Sequence, residues 1–80
     1  MPKTVPPTHS RLQSRAYSEL RRLIATGEFP PGTFLSERQL ASQLGMSKTP
    51  VHVALERLES EGFVTISAQQ GVVVRGMTVE

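Results

Sequence analysis

Residues 36–64, SERQLASQLGMSKTPVHVALERLESEGFV, decide the fold. Ser36 followed by Gln39 fits a capping box, in which the Ser hydroxyl accepts from an early backbone N–H and the Gln amide reaches back. The helix so opened carries Leu40, Ala41 and Leu44 on one face. Gly45 ends it, since the reversal there asks for a positive φ that glycine adopts without strain. A second helix begins within Ser47–Pro50, because Pro50 is tolerated only in a first turn, where its missing N–H is not needed. Val51, Ala54, Leu55 and Leu58 form its apolar stripe, Glu61-Gly62 closes it, and Phe63 is placed to pack back on its end. Two short helices joined by a tight turn have the layout of a helix-turn-helix, whose second helix enters the major groove of DNA.

Working outward, the C-terminal flank holds Val64-Thr65-Ile66 and Val72-Val73-Val74, two β-branched runs joined by Ser67 to Gly71, which predicts a hairpin. On the N-terminal side, Phe29-Pro30-Pro31-Gly32 breaks the chain, and Thr33-Phe34-Leu35 suits the edge of a small sheet. Before it, from Ser10, Leu12, Ala16, Leu20, Leu23 and Ile24 recur at helical spacing, with Gly27 as the stop. Residues 1–9, rich in Pro and Thr, read as a flexible arm. The expected fold is mainly α with a small antiparallel β wing: a three-helix bundle plus a hairpin over residues 10–76, a winged helix-turn-helix. Arg75 to Glu80 carries no signal for a further element.

Eighty residues allow one domain with a small core, burying about 60–65% of the unfolded surface. No cysteine is present, which excludes a disulfide framework and thiolate metal sites. No apolar run approaches the ~20 residues that cross a bilayer, and the N-terminus lacks a signal-peptide core, so the expected location is the cytoplasm, away from any membrane. His9 and His52 stand far apart without paired acids, so no metal site is legible. Without a Ser/His/Asp set or a glycine-rich phosphate loop, no catalytic residue and no cofactor is expected, and the chain does not read as an enzyme. The net charge is only +2, yet residues 1–53 carry seven bases against three acids, and residues 54–80 two against four. Acidic groups repel phosphate, so the Glu-rich end is expected to face away from DNA.

A recognition helix buries one face and presents the other, N-terminus first, to the groove. With Val51, Ala54, Leu55 and Leu58 inward, Lys48, Thr49, His52, Val53 and Glu56 face outward. Lys48 and Thr49 can each reach a base edge or a phosphate, and His52 can donate to a guanine N7 or a phosphate. Solvated surface residues are the plain alternative. Arg38, in the first turn of the preceding helix, can clamp a phosphate or read a base, or pair with Glu37 or Glu28. Ser36 and Ser47 either cap their helices or add contacts, and the same choice stands for Thr49. In the hairpin loop Gln69, Gln70 and Gly71 can enter the minor groove, or form a solvated tip.

Taken together, Pro31-Gly32, Leu35-Ser36-Glu37-Arg38-Gln39-Leu40-Ala41, Leu44-Gly45-Met46-Ser47-Lys48-Thr49-Pro50-Val51, Ala54-Leu55, Leu58, Glu61-Gly62 and Gly71 strongly resemble the GntR family of bacterial transcriptional regulators. The resemblance spans roughly residues 10–76, and the Leu35-Ser36-Glu37 and Thr49-Pro50-Val51 steps look more like the FadR-type branch than the HutC-type. It implies a repressor that binds a palindromic operator in double-stranded DNA as a homodimer and is released by a small-molecule effector. Its DNA contacts would fall at Arg38, Ser47, Lys48, Thr49 and His52, with the wing tip at Gln69, Gln70 and Gly71. The family also carries a C-terminal effector and dimerisation domain, to which residues 77–80 would begin the linker. The domain alone would then be monomeric or weakly dimeric, without the gain of bivalent binding. Two departures stand out. The family usually has Arg where this chain has Lys48 and His52, and Glu where it has Val53. A His in place of an Arg fork weakens or redirects a guanine contact worth roughly 1–3 kcal/mol of discrimination.

Two other uses of such a module compete. A winged helix that docks on protein would show aromatic or aliphatic anchors on the outward face, where only Val53 qualifies. An RNA-binding module would show exposed aromatics for stacking, whereas Tyr17 and the three Phe residues are expected in the core.

Overall fold

The computed structural model describes residues 7–68 and 71–75. Three helices come in the order expected, α1 (Pro7–Ala25), α2 (Glu37–Leu44) and α3 (Lys48–Ser60), with strands β1 (Phe34–Ser36), β2 (Val64–Ile66) and β3 (Gly71–Val74). Helix α1 opens at Pro7, three residues ahead of the Ser10 start expected from apolar spacing. Proline supplies a helical φ and lacks an N–H that the first turn would leave unused, so the helix extends past its last apolar signal. Residues 7–9 therefore belong to α1 and not to the arm, whose residues 1–6 lie outside the described ones, as do residues 76–80.

Side chains from all three helices and the sheet make the core. Ala16, Leu20 and Ile24 of α1 meet Val51, Ala54, Leu55 and Leu58 of α3, with Leu40 and Ala41 of α2 and Val64, Val72 and Val74 of the sheet. Leu44, expected inside, is only half-buried at the end of α2. Tyr17, Phe29 and Phe63 pack partly buried against this core, but Phe34 does not. It is 66% exposed. Odd and even positions of a strand face opposite sides, and the inward side of β1 belongs to Leu35.

The sheet is antiparallel in the order β1-β3-β2. Phe34 lies opposite Val73 and Ser36 opposite Gly71, while Val64 lies opposite Val74 and Ile66 opposite Val72. Strand β3 is central, which explains three consecutive valines: Val72 and Val74 enter the core and Val73 is half-covered on the other face. Gly71 was expected in the loop but is the first residue of β3 and is buried. Its carbonyl accepts from the Ser67 N–H at 2.8 Å. A Cβ there would stand 2.5 Å from Phe34 Cζ and 2.8 Å from Ser67 Oγ, so the Phe34 ring rests directly on the glycine.

Both helices of the central pair end alike. Gly45 has φ 69°, its N–H bonds to Ser42 O, and the Met46 N–H bonds to Ala41 O at 2.9 Å. In α3 the N–H groups of Gly62 and Phe63 bond to Glu59 O and Leu58 O in the same way. Each closure satisfies carbonyls that the helix leaves open and turns an apolar residue back on the core.

Candidate nucleic-acid interface

The turn at Gly45 joins the end of α2 to the start of α3, and the helices cross so that Glu37 in the first turn of α2 meets His52 of α3. Ser36 caps α2 through the full box: its Oγ accepts from the Gln39 N–H at 3.0 Å, and its own N–H donates to Gln39 Oε1 at 3.1 Å. Ser47 occupies the N-cap position of α3 but makes no capping bond with its side chain. Its hydroxyl is exposed beside the first turn. Because Ser47 holds that position, Thr49 is the second residue of α3, exposed with Lys48, and is not the cap.

Arg38 is exposed in the first turn of α2. Neither alternative ion pair forms: Glu28 is not its partner, and Glu37 turns the other way. Glu37 is 3% exposed, the one buried charged side chain among the described residues. His52 Nδ1 lies 2.6 Å from Glu37 Oε2 and Nε2 lies 3.1 Å from Glu56 Oε2, and each nitrogen donates there when it carries a proton. These bonds hold the His52 pKa above its ordinary 6.5, the hydrogen bond to Glu37 foremost, with burial opposing it and the two carboxylate charges adding to it. Glu37 is the acidic residue of the first turn of α2. His52 lies half-exposed on the outward face of α3, as the helical period requires, and is tied to Glu37 and Glu56 of its own chain. Lys48, Thr49, His52, Val53 and Glu37 line an open depression of about 330 Å³.

Sequence reasoning singled out Arg38, Ser47, Lys48, Thr49 and His52; the structure gathers Lys48, Thr49 and His52 around one depression with Glu37, while Ser47 is exposed at the N-cap of α3 and Arg38 in the first turn of α2. It missed Glu37 and Glu56 as partners of His52. The pair His52–Glu56 is legible as an i,i+4 neighbour on one helix face. Glu37 lies 15 positions away, and no local pattern points to it. Gly71 is not on this surface, being covered by Phe34, and Gln69 and Gln70 lie outside the described residues. Arg57, at the far end of α3, instead stacks over the Tyr17 ring at 3.9 Å and pairs with Glu61 at 3.5 Å, and Tyr17 donates to Glu61 as well.

The sequence profile of the gntR family of bacterial regulatory proteins matches residues 12–74, nearly all of this architecture. The chain belongs to that family. Among its relatives is an HTH-type transcriptional regulator from the TAR-I ttuE-ttuC' intergenic region of Agrobacterium vitis. The two are 46% identical over 61 residues, covering 76% of this chain and 36% of the relative. McbR of Escherichia coli is 36% identical over 74 residues, or 92% of this chain and 34% of McbR. The solved McbR structure superposes with a TM-score of 0.75 at 34% identity, over 84% of this chain and 32% of that one. A GntR-family regulator from Pseudomonas syringae pv. tomato gives 0.73 at 33% identity, over 90% and 30%. The chain thus spans about a third of the length of the curated relatives it matches. Among the described residues no helix is long and apolar enough to cross a membrane, and no cluster of three or more His, Cys, Asp or Glu is set to hold a metal.

Proposed function

We propose that this chain is the operator-reading part of a transcriptional repressor, with the first two turns of α3 in the major groove. One observation carries the reading. Ser47, Lys48 and Thr49 are exposed at the start of α3 and Arg38 in the first turn of α2, polar and basic side chains with Val53 as the single exposed apolar one on that part of α3, where a protein-docking helix would present several apolar anchors. Lys48 and Arg38 take phosphates or guanine edges, Thr49 takes a base or phosphate, and His52 reads one further base. Gln69 and Gln70 of the hairpin loop complete the contact in the minor groove. Gly71 has a different part, leaving room for Phe34 at the stem of the wing.

Two copies bind a palindrome as a homodimer, with release by a small-molecule effector bound outside these residues, and the regulator acts in the cytoplasm. The Leu35-Ser36-Glu37 and Thr49-Pro50-Val51 steps support the FadR-type branch. The test is selection from random duplexes by the 80-residue chain, followed by salt titration of the winning sequence. A defined half-site with a steep salt slope is expected. A chain that enriches nothing, even with two copies joined through a coiled coil, would contradict the reading.

A further inference from the structure

Both ring nitrogens of His52 lie within hydrogen-bond distance of carboxylates, which only accept, so the imidazolium satisfies both contacts and the neutral ring one of them. Its two partners are unequal. Glu37 is buried at 2.6 Å, and taking a donor from a buried carboxylate is costly. Glu56 is 60% exposed at 3.1 Å, and water can take the place of His52 there. Nδ1 therefore stays with Glu37 in either charge state, while Nε2 is exchangeable.

Resting on the DNA-reading function above, we propose that Glu37 is a positioning residue: it holds the Nδ1–H of His52 so that Nε2 faces the groove, and the proton on Nε2 selects the base. With the proton present, Nε2–H donates to the N7 or O6 of guanine. When that proton leaves for solvent, the remaining one stays on Nδ1, and the bare Nε2 accepts from the exocyclic amino group of adenine or cytosine. One side chain then reads two opposite hydrogen-bond patterns. The charged groups around the ring are Glu37 from α2 and Glu56 and Lys48 from α3. The two carboxylates favour the cation, which sets the exchange on the alkaline side of 6.5.

The test measures competition between duplexes differing at the base pair whose readout His52→Ala abolishes, at about pH 6 and about pH 8.5. The expected result is a swing in preference from guanine toward adenine or cytosine of roughly tenfold between the two conditions. Other positions of the site keep their preference, and His52→Ala flattens the swing. Glu37→Gln moves the swing to lower pH, and Glu56→Gln retains it. Ring nitrogen shifts of His52 in the free protein give an independent reading, in which the neutral ring carries its proton on Nδ1. A preference that is flat across pH at the His52-dependent base pair, or a neutral ring protonated on Nε2, overturns the inference while leaving sequence-specific binding intact. A chain that selects no sequence at all overturns the DNA reading, and this inference with it.

Discussion

At the scale of single residues, the two ends of α3 carry opposite expectations. Lys48→Ala and Arg38→Ala each remove a cation from the proposed interface, and each is expected to weaken DNA binding several-fold and to lower the salt slope by about one unit. Arg57→Ala, whose guanidinium sits on Tyr17 and Glu61, is expected to leave affinity unchanged. Titration of labelled duplex at several salt concentrations separates the three, and equal losses would contradict the assigned geometry. His52 gives a stability prediction with a definite direction. Its folded pKa lies above 6.5, so the folded chain holds the proton more tightly than the unfolded one. Its stabilising contribution is complete below 6.5 and disappears as pH rises through the folded value. Thermal melts should show the gap between wild type and His52→Ala narrowing from mildly acidic to mildly alkaline pH. The outward identity of Lys48, Thr49 and His52 was legible because the helical period alone decides it. The Glu37–His52 bond was not, since it depends on how two helices meet.

At the scale of elements, termini hold more of the design than interiors. The capping box at Ser36 satisfies backbone donors of α2, and Ser36→Ala is expected to cost about 1 kcal/mol. Gly45 has φ 69°, a conformation that a side chain resists, so Gly45→Ala is expected to lose about 1 kcal/mol or more. Urea denaturation of both variants measures these losses, and wild-type midpoints for both would contradict the roles. These two termini, and the closure at Gly62-Phe63, were readable because each depends on residue types at fixed offsets. Boundaries without such chemistry shifted: α1 starts at Pro7, and β1 covers Phe34–Ser36 instead of Thr33–Leu35. Gly71 was misplaced for a related reason. A glycine beside a β-branched run reads as loop, whereas here it is the strand residue over which the Phe34 ring lies.

At the scale of the whole molecule, one small core joins the described helices and strands, so these are expected to unfold together. Leu58 and Leu55 of α3 are fully buried between α1, α2 and the sheet. Leu58→Ala is expected to cost about 2–5 kcal/mol, much of the total stability of a domain this size. Circular dichroism should then show loss of the whole cooperative transition, and a melt that spares the sheet would contradict a shared core. The same packing positions the proposed interface: α1, α2 and the sheet cover the apolar stripe of α3 and leave Ser47, Lys48 and Thr49 exposed at its start. The most direct test of that face is amide chemical-shift mapping on the labelled chain, titrated with its selected duplex. Perturbations are expected at Arg38 and across Ser47–Val53, with the Arg57–Glu61 end undisturbed. Perturbations confined to the outer face of α1 or to the Arg57 end of α3 would contradict the claim that this helix reads DNA.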